Sequence, residues 1–247
     1  MGRAIAGAAR NGRLVVVHGG GREIDAALAQ VGIPKRQVDG LRVTDEETLN
    51  IVVSVVAGAI NTRFVAAINA AGGKAVGLTG ADAGVAPVKK APPHKATSGE
   101  TVDLGMVGQP MPAPSPNVIA ALCKAGYVPV VACVSASKDG QLFNVNADTL
   151  AGSLAARLKA KRLVIAGATA GVLDKRNETI ARLDGERIEK LVKSGTANAG
   201  MVAKLAACQA ALKGGAKSVA IVDGRSPARL LKALKGEKTA ATTRVVD

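Results

Sequence analysis

The sequence predicts an α/β protein, an αβα sandwich with a mainly parallel central sheet. Short apolar runs rich in β-branched residues, such as 14–17, 127–134 and 218–222, are typical of buried strands. The segments between such runs carry apolar residues at helical spacing. Strands that alternate with helices in this way form a largely parallel sheet covered by helices on its faces.

The composition narrows the class of protein. Hydrophobic residues make up 48% of the 247 residues and aromatic residues 1%, so the core is expected to consist of Ala, Val, Leu and Ile. No apolar run approaches the roughly 18 residues of a membrane span, and residues 1–13 lack the hydrophobic stretch of a signal peptide. Three cysteines at unrelated spacings indicate reduced, buried thiols. We therefore expect a cytoplasmic protein with no membrane partner and no metal held by protein ligands.

The net charge of +14 raises the question of nucleic-acid binding. The 33 Lys and Arg residues are spread along the chain, and with no Trp, one Tyr and two Phe there is no aromatic platform for stacking bases. A basic surface that attracts small anionic substrates is the better interpretation.

The elements are expected in a regular order. The long helix begins at Thr44-Asp45-Glu46-Glu47, a capped start with acidic residues in the first turn. A boundary near residue 150 divides the chain into an N-terminal lobe, 1–150, and a C-terminal lobe, 151–247. In chain order the patterns predict a strand at 14–17, a helix at 23–29, an extended segment at 38–44, the long helix at 45–71, a strand at 75–78, irregular or hairpin structure at 84–117, a helix at 116–125, a strand at 127–134, a turn at 139–140, a helix at 148–158, a strand at 163–166, helices at 185–194 and 201–214, and a strand at 218–222.

The run His18-Gly19-Gly20-Gly21 follows the first strand directly. A strand, glycines and a helix in succession can hold an anion on backbone N–H groups, since a Cβ would keep the ligand's oxygens away from the main chain. The alternative is a tight strand-to-helix turn without a ligand. The motif alone leaves both interpretations open, because it matches neither the P-loop nor the full dinucleotide fingerprint.

Three polar positions stand near the ends of predicted strands or at helix starts. The planar guanidinium of Arg42 suits a carboxylate, although a surface arginine is the simpler interpretation. Asn144, Asn146 and Asp148 share one face of an extended segment and form either a polar binding wall or a helix N-cap, with Asp148 as the capping residue. Lys204 follows a glycine-rich loop, where it can neutralise a phosphoryl group or simply be a solvated lysine.

Together these motifs resemble the amino acid kinase family, and within it the branch that phosphorylates N-acetyl-L-glutamate. The matching segments keep the family's order and cover the chain from about residue 14 to its end. They are HGGG at 18–21, GLRVTD at 40–45, the helix carrying Gly58 and Asn61, GGKAVGLTGAD at 72–82, DLGMVG at 103–108, AGYVPVVA at 125–132, NVNAD at 144–148, AGVLD at 170–174, GMVAK at 200–204 and DGR at 223–225.

The resemblance implies phosphoryl transfer from ATP, bound with Mg²⁺, to the side-chain carboxylate of N-acetyl-L-glutamate in arginine biosynthesis. It implies that the N-terminal lobe binds the amino acid, the C-terminal lobe binds the nucleotide, and the long helix forms a homodimer interface. A non-catalytic relative and a kinase of carrier-linked aminoadipate or glutamate are the alternatives. By resemblance the catalytic residues are Lys204, Asp148 and Gly19, the substrate-binding residues are Gly19, Gly20, Arg42 and Asn144, and the nucleotide-binding residues are Gly167, Thr169, Gly171, Val172, Gly200 and Lys204.

Two departures from the family pattern affect these expectations. Family members open with a strand that carries Lys-x-Gly-Gly, whose lysine contacts the phosphates, whereas Met1-Gly2-Arg3 already resembles the following helix. This predicts either a start site further upstream or a weakened or inactive relative, with little or no kinase activity for the chain as written. Ala168 stands where the family carries an acidic residue, which predicts altered nucleotide affinity or metal-linked positioning.

Overall fold

The structure, a computed structural model, describes residues 1–197, 199–237, 239 and 241–246. A π-helical segment, Val53–Ile60, joins the third helix to the fourth, and a short 3-10 turn spans Asp82–Gly84. The helices are α1 Gly2–Ala9, α2 Gly21–Gln30, α3 Glu46–Val52, α4 Asn61–Ala70, α5 Asn117–Lys124, α6 Ala147–Arg157, α7 Gly185–Lys193, α8 Ala199–Lys213 and α9 Pro227–Lys235. The strands are β1 Val16–His18, β2 Gln37–Val38, β3 Leu41–Arg42, β4 Ala75–Thr79, β5 Val88–Lys90, β6 His94–Lys95, β7 Thr101–Val102, β8 Gly108–Pro110, β9 Val128–Ala132, β10 Val134–Ala136, β11 Leu142–Asn144, β12 Leu163–Gly167, β13 Arg182–Leu183, β14 Val219–Asp223 and β15 Thr242–Val245.

Two sheets carry the fold. The first is parallel, in the order β1-β9-β4, and the second has the order β12-β14-β15-β13. In the second sheet β12 is parallel to β14 and β13 is parallel to β15, while β14 and β15 are antiparallel. This confirms the α/β class with a parallel core. The parallel strands are divided between two sheets. Within the described residues, β1 is an edge strand that pairs with β9, and β12 is an edge strand that pairs with β14.

Each sheet has its own apolar core, built mainly from Ala, Val, Leu and Ile as the composition predicts. The first core lies against β9 and includes Val131, and the second lies between β14 and α8 and includes Ile221. Helix α6 belongs to both, because it places Leu150 and Leu154 in the first core and Ala155 in the second. The predicted lobe boundary at residue 150 therefore falls inside a helix that connects the two cores.

The segment 38–44 is a hairpin and not the single extended segment that the sequence analysis predicts. Strands β2 and β3 pair in antiparallel fashion across Asp39 and Gly40, whose φ angles are 47° and 74°. Asp tolerates this left-handed region better than most residues and Gly adopts it freely, so the pair forms a tight turn. The turn brings Arg42 back along the chain toward α2.

The N-terminus of α6 also differs from the prediction. Asn146 is the N-cap, since its side-chain oxygen accepts the Thr149 N–H at 3.0 Å. The expectation that Asp148 caps this helix is wrong, and its carboxylate in the first turn is free for another role.

The C-terminal segment adds α9 and β15, which the sequence analysis does not predict. Helix α9 has recognisable signals: Ser226 as N-cap, Pro227 at the first helical position and Gly236 at φ 85° after the last turn. Strand β15 completes the second sheet beside β14.

The long helix of residues 46–70 comprises α3, the π-helical segment and α4, in good agreement with the predicted helix at 45–71. Asp45 caps it by accepting the Thr48 N–H at 2.9 Å. This helix is long enough and apolar enough to cross a membrane, and 28% of its most apolar 18-residue stretch is buried. Polar residues such as Asn50 and Ser54 stand between its apolar residues, so it contains no uninterrupted apolar run of that length. One such helix is weak support for a membrane span, and it leaves an apolar face uncovered within this chain.

The close packing of α6 on α8 generates a stability prediction. A Cβ at Gly152 would lie 2.6 Å from the Ala207 carbonyl oxygen, which belongs to the backbone and cannot move aside. We expect Gly152→Ala to lower the free energy of unfolding by about 1–3 kcal/mol, as overpacking does. In Gly7→Ala, the matched control within a helix, the new Cβ meets open space. The control should be neutral or raise stability by up to about 1 kcal/mol. Urea denaturation measures both, and equal stabilities for the two variants would contradict the packing.

Candidate active site

The glycine segment lies where β1 ends and α2 begins, with Gly20 as the N-cap. A Cβ at Gly20 would lie 2.1 Å from the Ile60 Cδ1, and one at Gly19 would lie 3.2 Å from the Cβ of Ala147. Gly19 therefore lies beside the first residue of α6, so the N-termini of α2 and α6 approach the same place. Their free N–H groups and dipoles favour an anion there.

Arg42 is buried, with 8% of its surface exposed, so the interpretation as a surface arginine is wrong. Its Nη2 forms an ion pair with Asp25 and donates to the Gly21 carbonyl at 3.3 Å. Its Nη1 is also buried, yet it has no hydrogen-bond partner among the described residues. A buried guanidinium N–H without an acceptor is costly, so this N–H is available to a ligand oxygen or an ordered water.

Asp25, in the second turn of α2, holds the Arg42 guanidinium in place, and the sequence analysis does not identify it. Burial raises the pKa of Asp25, but hydrogen bonds and charges from Lys35 and Arg42 outweigh this effect and hold the pKa below its usual value. Asp25 is therefore ionised at neutral pH. Its position one turn after the glycines is evident from the sequence. Its pairing with Arg42 is not, because that contact depends on the β2–β3 hairpin.

Thr44 links Arg42 to Asn144. Its hydroxyl donates to the Arg42 carbonyl at 3.1 Å and accepts from Asn144 Nδ2 at 3.2 Å, and the residue is fully buried. The Asn144 main-chain N–H donates to the Met106 carbonyl at 3.0 Å, which fixes the end of β11. The structure thus brings together two of the residues predicted to bind substrate, through a threonine that sequence reasoning did not single out as a site residue.

Lys204 and Asp148 form an ion pair at 2.6 Å between α8 and α6. Both side chains are partly exposed, 25% for Lys204 and 19% for Asp148, so the pair faces a solvent-accessible space. A Cβ at Gly167 would lie 3.9 Å from Lys204 Cε, which places the end of β12 beside the lysine. The interpretation of Lys204 as an isolated solvated lysine is wrong.

The turn after β12 contains the residues predicted to bind nucleotide. Thr169 Oγ1 donates to the Gly171 carbonyl at 2.8 Å, and Gly171 has a φ of 75°. The Val172 N–H donates to Thr243 Oγ1 at 2.8 Å, and the Val172 side chain is buried in the second core. Thr243 on β15 therefore fixes this turn, a role that the sequence pattern does not reveal. Gly200 lies exposed in the first turn of α8.

Two positively charged groups lie at the elements that meet at the glycine segment: Arg42 contacts Gly21 of α2, and Lys204 contacts Asp148 in the first turn of α6. Arg42 provides one charge with a free N–H, and Lys204 provides the other, held by Asp148. Such a site suits a ligand that has a carboxylate at one end and a second negatively charged group at the other. Across the described part of the chain, no three His, Cys, Asp or Glu side chains cluster closely enough to hold a metal ion.

The Asp25–Arg42 pair generates a prediction about stability and its pH dependence. We expect Asp25→Asn to lower the free energy of unfolding by about 1–3 kcal/mol at pH 7, because the Arg42 charge stays buried without a carboxylate partner. Lys35→Met removes the exposed partner of Asp25 and should cost about 0–1 kcal/mol. Urea denaturation measures both variants.

The pH dependence has a defined sign. Because the folded-state pKa of Asp25 lies below the unfolded value of about 3.9, this stabilisation is present above roughly pH 4 and is lost as pH falls through the folded pKa. Wild type and Asp25→Asn should therefore converge at low pH. A constant difference from pH 7 to pH 3 would show that the carboxylate charge is not responsible.

Comparison with known proteins agrees with this geometry. A model described as the amino acid kinase family matches residues 2–223. The acetylglutamate kinase of Novosphingobium aromaticivorans is 43% identical over 226 residues, which cover 88% of this chain and 74% of that protein. The acetylglutamate kinase of Zymomonas mobilis is 40% identical over 237 residues, covering 94% of this chain and 78% of that protein.

Solved structures share the fold. An N-acetylglutamate synthase from Neisseria gonorrhoeae, complexed with coenzyme A and N-acetyl-glutamate, aligns over 100% of this chain and 56% of its own with a TM-score of 0.81 and 24% identity. A carbamate kinase from Giardia lamblia bound to AMP-PNP aligns over 99% of this chain and 88% of its own with a TM-score of 0.65 and 15% identity. With the family match and relatives at 40–43% identity over most of both chains, the chain belongs to the amino acid kinase family.

Proposed function

We propose that this chain transfers the γ-phosphoryl group of ATP to the side-chain carboxylate of N-acetyl-L-glutamate, a step of arginine biosynthesis. The single observation that carries the proposal is the buried Arg42 Nη1 that lacks an acceptor in the described structure. Two curated relatives at 40–43% identity bear the name acetylglutamate kinase, which supplies the substrate. ATP-dependent phosphoryl transfer is the chemistry of this kinase family.

The substrate carries two carboxylates, and the site offers a separate place for each. In our proposal the α-carboxylate accepts from Arg42 Nη1, and Asn144 donates to the acetamido and carboxylate end. Arg42 lies against the Gly21 carbonyl, so a ligand held here extends along the glycine segment. The side-chain carboxylate then reaches the N–H groups of Gly19 and Gly20.

Phosphoryl transfer at this site needs positioning and charge compensation. The substrate carboxylate is ionised at neutral pH, so no general base is required. One of its oxygens attacks the γ-phosphorus while the bond to the β–γ bridging oxygen breaks, and that oxygen leaves with its electron pair on ADP. Lys204 stabilises the charge on the moving group, and Asp148 keeps the ammonium group oriented. Mg²⁺ enters as the complex with the ATP phosphates.

The nucleotide is proposed to bind on the C-terminal lobe, 151–247, and the amino acid on the N-terminal lobe, 1–150. Gly167 lies beside Lys204 of α8, and the turn with Thr169, Gly171 and Val172 follows Gly167 along the chain. In our proposal the backbone N–H groups of this turn and of the first turn of α8, which contains Gly200, bind the phosphates. Because Ala168 adds no carboxylate to this turn, we expect Lys204 and the main chain to provide its charge complementarity.

The chain is also proposed to form a homodimer through the long helix 46–70. The exposed side of this helix includes Gly58, Ala59, Thr62 and Ala66, while Ile51 and Val55 are half-buried against the first core. Burying such a face against a second copy removes apolar surface from water, and a two-fold axis would pair the same patch with itself.

The first functional prediction concerns the carboxylate site. We expect Arg42→Ala to raise the Kd for N-acetyl-L-glutamate about 10-fold or more, equivalent to roughly 1.4 kcal/mol. Arg36→Ala is the matched control, since Arg36 is an exposed arginine in the same region. Isothermal calorimetry measures both. An unchanged Kd in Arg42→Ala, or an equal loss in Arg36→Ala, would remove Arg42 from the site.

The second concerns the transfer step. With ATP, Mg²⁺ and N-acetyl-L-glutamate, wild type is expected to release ADP, and Lys204→Met should lower kcat by roughly 100- to 1,000-fold. The Kd for N-acetyl-L-glutamate should stay close to that of wild type, because Lys204 contacts the phosphoryl group. Lys213→Met, at the exposed end of the same helix, is the control. Wild type that binds the amino acid without ADP release would instead support the non-catalytic alternative.

The third concerns assembly. Wild type is expected to be a dimer by light scattering at micromolar concentration, and Ala59→Arg should yield monomers, because it places a charge in the apolar face. Ala29→Arg, on an exposed position of α2, should leave the dimer intact. A monomeric wild type, or a dimeric Ala59→Arg, would contradict the proposed interface.

A further inference from the structure

His18, the residue directly before the glycine segment, is buried and connected at both ring nitrogens. Its Nε2 lies 3.0 Å from Asn61 Nδ2, and its Nδ1 lies 3.3 Å from the Gly19 carbonyl oxygen. The ring stacks on Phe64 with the centroids 5.0 Å apart. The function proposed above assigns no role to His18 or to Asn61.

The surroundings of Asn61 determine which ring nitrogen of His18 carries the proton. Asn61 Nδ2 lies 2.9 Å from the Val130 carbonyl and 3.3 Å from the Leu78 carbonyl, so the amide must present its NH₂ group on this side. Its Oδ1 points to Gly77, where a Cβ would lie 2.1 Å away. His18 Nε2 therefore meets a donor and acts as an acceptor, and the proton of the neutral ring lies on Nδ1.

The Nδ1 proton has the Gly19 carbonyl as its acceptor. In a trans peptide the carbonyl and the following N–H point in opposite directions in one plane. A hydrogen bond that fixes the Gly19 carbonyl toward His18 therefore directs the Gly20 N–H away from it. The Ile24 N–H donates to the Gly20 carbonyl at 2.8 Å and holds the α2 side of this segment. Without the His18 bond the Gly19–Gly20 peptide can adopt more orientations, because neither glycine carries a Cβ.

We propose that His18, held by Asn61, is a positioning residue that fixes the Gly19–Gly20 peptide so that the Gly20 N–H faces the transferring phosphoryl group. This role rests on the proposed function. It adds His18 and Asn61, which do not contact the ligand, to the residues that determine the rate of transfer. Burial lowers the pKa of His18, and the bond to the Gly19 carbonyl opposes part of that change, so the ring is neutral near pH 7.

A kinetic experiment separates positioning from a merely structural role. His18→Phe keeps an aromatic ring to stack on Phe64 but removes both nitrogens. We expect kcat to fall roughly 10- to 100-fold, the scale of a small misplacement in an active site. The Kd for N-acetyl-L-glutamate, set by Arg42, should remain within about 2-fold of wild type. Tyr127→Phe, at an aromatic residue that is 41% exposed, should leave kcat unchanged.

A second measurement does not depend on turnover. Because the chain has two histidines, its histidine ¹⁵N NMR spectrum contains two ring systems, and His18→Phe assigns them. The His18 ring is expected to be neutral with the proton on Nδ1. A proton on Nε2, or a kcat for His18→Phe equal to wild type with a lowered Tm alone, would overturn the positioning role. Wild type that neither binds nor phosphorylates N-acetyl-L-glutamate would instead overturn the proposed function.

Discussion

The buried guanidinium of Arg42 is the interaction on which the candidate site depends. Asp25 neutralises its charge from α2, and the Gly21 carbonyl takes a second hydrogen bond from the same nitrogen. Nη1 remains without an acceptor in the described part of the protein, at a cost of about 1–3 kcal/mol for a buried polar group. A ligand carboxylate that accepts a hydrogen bond from Nη1 would remove this cost, so the free energy adds to the affinity for the ligand.

Helix α6 connects the surroundings of Arg42 to Lys204, the two positively charged groups of the candidate site. Its N-terminal end follows Asn144 closely, lies beside Gly19 and carries Asp148, which holds Lys204 of α8. Its apolar side belongs to both cores, so the same helix connects them. Since phosphoryl transfer is governed by the placement of two anionic groups, a rigid helix shared by both halves is well suited to the reaction.

Many of the candidate site residues can be predicted from the sequence, because each lies in a short sequence motif. The glycines after β1, the arginine of the β2–β3 hairpin and the Asp148–Lys204 pair all lie in short motifs whose order identifies a family. Asp25, Thr44 and Thr243 were missed because their roles depend on partners far along the chain, such as Thr44 with Asn144. The hairpin at 37–42 is not evident from the sequence, since its turn depends on Asp39 adopting a positive φ. A polar residue's role becomes clear when its acceptor or donor is known.

The structure of the complex with N-acetyl-L-glutamate tests this account most directly. We predict the α-carboxylate within about 3 Å of Arg42 Nη1, the Asn144 amide on the same ligand, and the side-chain carboxylate directed to the Gly19–Gly20 peptide. An ordered ligand bound elsewhere, with Arg42 Nη1 still lacking an acceptor, would contradict the account.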